Sequence, residues 1–165
     1  MEIDRAALDT RRNQIAAKHL KAPNERPKST ARGIHHYAII SSDVERTVRF
    51  WQDVLGFPLV DMFENRDLAG STHFFFDVGN GNCVAFFDLP SVNPGPYEEV
   101  LGGHHHLSIS MTPENWLDAR GRLEAAGVEY HLDSGTSIYF RGPDGERLEL
   151  IADPLGAMYG HVILQ

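Results

Sequence analysis

The chain has 165 residues, 42% of them hydrophobic and 23% charged. This balance is typical of one compact domain, or of two small halves that share a core, and it excludes a disordered chain. With a formal net charge of −8, the chain lacks the basic surface by which proteins bind nucleic acids, so we expect no nucleic-acid partner.

Cys83 is the only cysteine, which excludes an internal disulfide framework and suits the reducing cytoplasm. Residues 1–33 are predicted to be an accessory arm. Apolar residues at helical spacing predict a helix over residues 4–21, and the proline-containing stretch 21–33 is typical of a linker. The arm lacks the apolar core of a signal peptide, and no run reaches the length of a membrane span, so we expect no membrane partner.

From Ile34 onward the sequence repeats one structural unit twice. Each copy opens with an alternating strand that starts on histidines, in residues 34–60 and again in residues 104–131. The opening strand is followed by a helix-start signal, then by a helix that ends at a glycine, and then by a further strand. The start signals and terminal glycines are Ser42-Asp43 and Gly56 in the first copy, and Thr112-Pro113 and Gly127 in the second.

Apolar spacing also predicts the buried faces of the two helices. They comprise Phe50, Val54 and Leu55 in the first helix, and Trp116, Leu117, Ala119 and Leu123 in the second. Each copy closes with a β-hairpin, residues 72–90 and 137–154, that turns at an Asn-Gly or Asp-Gly pair. The unit is therefore strand–helix–strand–strand–strand. The first module spans residues 34–90, the linker 91–103, and the second module 104–154.

Side chains of a strand point alternately to the two faces of its sheet. In these strands one set is apolar and is expected to pack beneath the helices. The opposite set is expected on the concave side of each sheet. His36 and His106 belong to the opposite set in the two opening strands. Glu149 belongs to it in the closing strand, between two leucines. An ionised glutamate is costly to bury alone. Two neutral imidazoles and one carboxylate around a divalent ion would resolve that cost and leave open coordination positions, a set that suits Fe(II) or Mn(II).

The strings HHYAIISSDVERTVRFWQDVLGF and YFRGPDGERLELIADP, in their doubled arrangement over about residues 34–154, resemble the vicinal oxygen chelate superfamily. That superfamily includes glyoxalase I, bleomycin and fosfomycin resistance proteins, and type I extradiol dioxygenases. The resemblance implies an α+β fold of two tandem βαβββ modules, which form a curved, partly open sheet around a central metal cleft. It implies His36, His106 and Glu149 as ligands of Fe(II) or Mn(II), with Ni(II), Zn(II) or Co(II) as alternatives.

The repeat makes Ala85 the counterpart of Glu149 in the first hairpin. Relatives of the glyoxalase I type often carry a ligand carboxylate or its equivalent there, and alanine cannot bind a metal. This departure favours the three-ligand branch of the superfamily, which includes the extradiol dioxygenases. The small-molecule partner implied is a catechol-like or other vicinal-oxygen substrate chelated to the metal.

In extradiol dioxygenases a histidine and then a tyrosine precede the ligand glutamate, and His131 and Tyr139 stand at compatible spacing. The resemblance implies an acid–base role for His131, since histidine titrates near neutral pH, and a hydrogen-bonding role at the metal for Tyr139. Gly142 departs from the family pattern, which has an acidic or small polar residue or alanine there. A further histidine of ring-cleaving members has no obvious counterpart between the first two ligands.

Two other functions stay open: a glyoxalase-like lyase, isomerase or epimerase that acts through an enediolate, and a ligand-sequestering protein of the bleomycin-resistance kind. A homodimer also stays open, because the sequence does not decide whether the modules pair within one chain or across two copies. His35, His104 and His105 are interpreted as solvated residues at strand starts. Tyr159 and His161, in the C-terminal tail 155–165, are weak candidates near the cleft or a dimer edge.

Overall fold

The computed structural model describes residues 4–90 and 94–157, which fall into two compact units. The first unit, Met1–Arg32, contains α1 (Arg5–His19) and a 3₁₀ turn (Pro23–Glu25). No residue of α1 is buried, and its apolar residues Leu8 and Ile15 are exposed. Among the residues described, no helix is long and apolar enough to cross a membrane.

The second unit, Gly33–Gln165, contains two four-stranded sheets of the same topology. The first sheet consists of β1 (His36–Ser41), β2 (Leu59–Glu64), β3 (Thr72–Asp77) and β4 (Cys83–Asp88), in the order β1-β4-β3-β2. The second consists of β5 (Leu107–Ser110), β6 (Tyr130–Asp133), β7 (Ser137–Arg141) and β8 (Arg147–Ile151), in the order β5-β8-β7-β6. The opening strand of each sheet is parallel to its neighbour, and the other pairs are antiparallel. The predicted α+β fold of two tandem βαβββ modules is confirmed.

One helical segment follows the opening strand of each module, and both begin at the predicted start signals. α2 (Val44–Arg49) is capped by Asp43 and continues as a π-helical turn over Phe50–Val54. α3 (Pro113–Ala125) is capped by Thr112, whose side chain accepts a hydrogen bond from a backbone N–H of the first turn.

The buried face predicted for the first helical segment is partly wrong. Phe50 and Val54 are only half-buried, whereas Trp51 is fully buried and stacks on Phe76 of β3. The π-helical turn widens the helical repeat at this point, so the side chain that points to the sheet is Trp51. Leu55 is buried as predicted.

In α3, three of the four predicted core residues, Trp116, Ala119 and Leu123, are fully buried. The prediction is wrong for Leu117, which is 44% exposed. The indole N–H of Trp116 donates to the carbonyl of Leu150, which ties α3 to β8.

The two modules share one hydrophobic core through their helical segments. The guanidinium of Arg122 on α3 donates to the carbonyls of Val54 and Leu55 at the end of the other helical segment. These carbonyls have no partner within their own helix, so Arg122 satisfies them from the second module. The helix-facing sides of both sheets are thereby used in the core, and the opposite sides are left to line the cleft.

A second contact between the modules involves the turn between β7 and β8. The carboxylate of Asp144 accepts hydrogen bonds from the backbone N–H and the hydroxyl of Ser42, and it pairs with Arg46 at 2.7 Å. Glu146 lies buried beneath this turn, where its Oε2 accepts from the N–H of Asp144 at 2.9 Å. A Cβ at Gly142 would lie 2.0 Å from Oε1 of Glu146. Glycine at position 142, the departure from the family pattern, thus makes room for this carboxyl group.

Burial raises the pKa of Glu146 from 4.5 to about 7. The folded state therefore retains a proton that the unfolded chain loses, and this stabilisation is complete below pH 4.5 and lost as the pH rises through about 7. We expect the free energy of unfolding of the wild type to fall between pH 5 and pH 8, relative to that of Glu146→Gln, by up to about 3 kcal/mol. Urea unfolding at several pH values measures the difference.

Glu114→Gln is the matched control for this experiment, because Glu114 is an exposed carboxyl in the first turn of α3. A constant difference between the wild type and Glu146→Gln over the pH range would contradict a proton held by Glu146.

Candidate metal centre

His106 and Glu149 lie together on the cleft side of the second sheet. Glu149 is in β8 opposite Ser108, and His106 immediately precedes β5. The Nε2 atom of His106 is 3.2 Å from Oε2 of Glu149. Of the three predicted metal ligands, these two are brought into contact within one chain.

The carboxylate of Glu149 is buried and remains ionised because its neighbours donate to it. Its side chain is 4% exposed, and burial alone would raise its pKa. Hydrogen bonds from Ser137, Ser108 and Tyr139, together with His106, outweigh burial and lower the pKa below its usual value. A buried carboxylate that stays charged is well suited to bind a cation.

His106 presents a neutral imidazole to Glu149. Burial lowers the pKa of His106, and the opposing effect of the Glu149 carboxylate does not reverse the shift. The Nδ1 atom of His106 is 2.6 Å from Nδ1 of His105, so one ring nitrogen is engaged by the preceding histidine and the other faces Glu149. A neutral imidazole with one engaged nitrogen is the form in which histidine binds metals.

His36 lies on the first sheet, where it repeats the same local geometry. Its Nδ1 atom is 2.9 Å from Nδ1 of His35, as in the second module, and its ring packs edge-on to Phe75. Within the part of the chain that the structure describes, no three His, Cys, Asp or Glu side chains are grouped to hold a metal. A single chain therefore supplies the pair of His106 and Glu149, and its own His36 does not join them.

The predicted catalytic residues lie in one row with Glu149. Across the second sheet, Tyr139 of β7 is opposite Glu149, and His131 of β6 is opposite Tyr139. Tyr139 therefore contacts the carboxylate directly. His131 is exposed and lies two strands away, at a backbone separation of about 10 Å.

The equivalent positions on β1, β4 and β3 of the first sheet are apolar. On β2, Asp61 lies opposite Phe75, as His131 lies opposite Tyr139 in the second sheet. Ala85 pairs with Ala38 as Glu149 pairs with Ser108, and Phe75 pairs with Ala85 as Tyr139 pairs with Glu149. The strand register thus agrees with the equivalence of Ala85 and Glu149 inferred from the repeat. The phenylalanines of β3 and β4 divide by parity, with Phe74, Phe76 and Phe86 in the core and Phe75 and Phe87 on the cleft side.

His73 is a cleft residue that nothing in the sequence reading singled out. It lies on β3 with the parity of Phe75, stacks on Phe87 with a centroid distance of 3.8 Å, and lies 6.1 Å from the ring of His36. Burial, and then His36, lower its pKa, and its buried Nε2 has no hydrogen-bond partner among the described residues. The alternation of side chains along a strand, which placed His36 on the cleft side, could have placed His73 there as well.

The solvated role expected for the neighbouring histidines is wrong for His104. That residue is half-buried, with Nδ1 2.7 Å from the hydroxyl of Tyr37 and Nε2 3.0 Å from the carbonyl of Arg147. His35 and His105 are exposed as expected, although each contacts the next histidine. The tail candidates Tyr159 and His161 lie outside the described residues.

Similar sequences among known proteins include a dioxygenase and a transferase. The protein described as ring-cleaving dioxygenase MhqA of Bacillus subtilis is 28% identical over 144 residues, which are 81% of this chain and 44% of MhqA. The glutathione transferase FosA of Serratia marcescens is 27% identical over 128 residues, which are 75% of this chain and 83% of FosA. The chain thus spans less than half the length of MhqA and most of FosA.

The fold is shared with a solved fosfomycin resistance protein, FosX of Listeria monocytogenes in complex with Mn(II) and sulfate. The TM-score is 0.58 at 23% identity, and the match covers 76% of this chain and 96% of FosX. A family model matches residues 33–150, which include the first module, nearly all of the second and the three predicted metal ligands. The chain belongs to the Glyoxalase/Bleomycin resistance protein/Dioxygenase superfamily.

Proposed function

We propose that the chain is a metal-dependent dioxygenase of the extradiol type, which opens the ring of a catechol-like substrate held through two adjacent oxygens. The observation that carries the proposal is the contact of His106 with the buried carboxylate of Glu149, with Ala85 at the equivalent position of the other sheet. One carboxylate and two histidines leave open coordination positions for a substrate and O2. The similarity to MhqA supports the same reaction class.

Fe(II) or Mn(II) is the metal that we propose for this site. The donor set of imidazole nitrogen and hard carboxylate oxygen fits either ion, and the related FosX holds Mn(II). When bound, the ion would supply Lewis-acid activation of the substrate oxygens and, as iron, a path for electrons to O2. The ligands proposed are His36, His106 and Glu149.

We further propose that His36 reaches the site from a second copy of the chain. Both β1 and β5 lie at the edge of their sheets. Beside β1 is a cavity of about 940 Å³, lined by residues from Tyr37 to Ser42 on one side and by His104 and Asp144 on the other. A symmetric dimer that paired the two edges would cover both and place each His36 next to the partner's histidine–glutamate pair.

The remaining cleft residues would orient the substrate and move its protons. The hydroxyl of Tyr139, beside Glu149, would hydrogen-bond a substrate oxygen. His131 is exposed on the same face, where it would exchange protons between the substrate and water. The half-buried rings of Phe75 and Phe87 would pack against an aromatic substrate and exclude water.

A second candidate is a lyase, isomerase or thiol-transferase reaction without O2, supported by Ni(II), Zn(II) or Co(II). The observation that favours it is the similarity to FosA, a glutathione transferase, over 75% of this chain. A sequestering protein without catalysis is the remaining alternative, and it would bind its ligand without metal.

Oxygen uptake separates these reactions. The protein reconstituted with Fe(II) under anaerobic conditions should consume O2 when a catechol is added and release a yellow ring-opened product. Glu149→Gln should lower the rate at least about 100-fold, because the amide carries no charge to hold the metal. No uptake over a broad panel of catechols, with activity that depends on Ni(II) and not on O2, would favour the second candidate.

Metal stoichiometry tests the shared site without a substrate. His36→Ala and Glu149→Gln should each lose tight metal binding. When the two variants exchange subunits, half of the dimers are mixed and each has one complete site, so tight binding should return to about one ion per four chains. A monomeric wild type, or a mixture that binds no more metal than the separate variants, would contradict the shared site.

The paired histidines provide a further test of the ligand set. Because His105 engages Nδ1 of His106, His105→Ala should weaken Mn(II) binding roughly tenfold by freeing the ligand ring to rotate, whereas His105→Asn should restore most of the affinity. Isothermal titration calorimetry with Mn(II) measures the change. His19→Ala, an exposed position on α1, is the control. Equal affinities for all variants would exclude an orienting role for His105.

A further inference from the structure

Two arginines face each other on the cleft side of the second sheet. Arg141 of β7 is directly opposite Arg147 of β8, and this pair is the next one on the same face after Tyr139 and Glu149. Two like charges in this cross-strand position destabilise a sheet unless something compensates them. In a chain with a net charge of −8, their placement beside the candidate metal centre calls for an explanation.

The charges of the two arginines are only weakly compensated within the described chain. The nearest carboxylate to Arg147 is that of Glu99, at 3.7 Å, and both side chains are partly exposed. No described carboxylate lies within 4.0 Å of Arg141, whose Nη1 donates to the carbonyl of Gly145 at 2.9 Å. Most of the ten N–H groups of the two guanidiniums therefore lack a protein acceptor, and an anion could use them.

Both guanidiniums are nevertheless held in place by aromatic rings. Arg141 lies 5.2 Å from the ring centre of Tyr97, and Arg147 lies 5.2 Å from that of Tyr139. Contacts of this kind orient the planar group and leave its edge available for a carboxylate or phosphonate. The two rings thus prearrange a pair of cations, whereas a freely solvated arginine would have no fixed position.

Arg147 also links this pair to the candidate metal centre. Its Nη1 is 3.4 Å from Nε2 of His105, which engages His106, and the ring beneath it belongs to Tyr139. Along β8, Arg147 and Glu149 are separated by about 7 Å. A ligand bound at the metal centre would have to carry an acidic group on a short tether to reach the arginines.

We propose that Arg141 and Arg147 form an oxyanion-binding subsite, so that the substrate carries a carboxylate or a phosphonate on a short tether from its metal-binding oxygens. This inference rests on the proposed function, since it takes the cleft of His106 and Glu149 as the place where the substrate binds. It adds an acidic substituent to the proposed substrate, which the proposed reaction alone does not require.

The test compares three probes that differ only in the presence and kind of acidic group: 4-propylcatechol, 3-(3,4-dihydroxyphenyl)propionate and the corresponding phosphonate. Calorimetric titration of the Mn(II)-loaded, full-length protein under anaerobic conditions gives the Kd of each. At least one of the acidic probes should bind about tenfold more tightly than propylcatechol, because charge-assisted hydrogen bonds form only with the acid. The tighter of the two identifies the oxyanion that the subsite prefers.

The double variant Arg141→Gln and Arg147→Gln, saturated with Mn(II), should bind the acidic probes no more tightly than propylcatechol. The matched control is Arg49→Gln with Arg66→Gln, which removes the same charge from exposed positions elsewhere on the domain. If the control loses the preference as well, the effect is general electrostatics and the subsite is wrong.

Two failures are distinguishable. If the wild type binds all three probes equally, the oxyanion subsite is wrong and the proposed reaction stands. If none of the probes binds, although Mn(II) does, then both the catechol reaction and the subsite that depends on it are wrong.

Discussion

The buried, ionised carboxylate of Glu149 is the constraint around which the second module is organised. A charge that is 4% exposed needs several donors, and Ser108, Ser137 and Tyr139 supply them from the two strands that flank β8. The pairing of β5 and β7 with β8 is therefore what keeps this side chain charged. The same pairing leaves one direction open, in which His106 lies, so the features that stabilise the carboxylate also prepare a place for a cation.

The two modules share a fold but have different cleft surfaces. Ala38, Ala85 and Phe75 of the first sheet occupy the positions that Ser108, Glu149 and Tyr139 occupy in the second. At these three positions the first sheet is apolar, and the second is polar or charged. A repeated backbone with divergent side chains can offer a metal on one wall and a surface for an aromatic ring on the other, and this asymmetry is the basis of the proposed reaction.

The way in which the modules pack bears on the proposal that two chains complete the site. Their shared core is built from the helical segments, and Arg122 joins the end of the first segment to α3. This packing uses the helix-facing sides of the sheets and leaves β1 and β5 as open edges. His36 therefore remains beside one edge, while His106 and Glu149 remain beside the other.

The sequence by itself determined the repeat, the strand parity and the helix starts, because each depends on residues that are neighbours along the chain. Parity was enough to assign His106 and Glu149 to the same face. Contacts between segments that are distant in the sequence were decided only by the tertiary structure. A π-helical turn directs Trp51 into the core, and the packing of β3 places His73 beside His36. The packing of the modules also leaves His36 apart from the other two predicted ligands. Local periodicity fixes which way a side chain points, but the packing of sheets and helices decides what it meets.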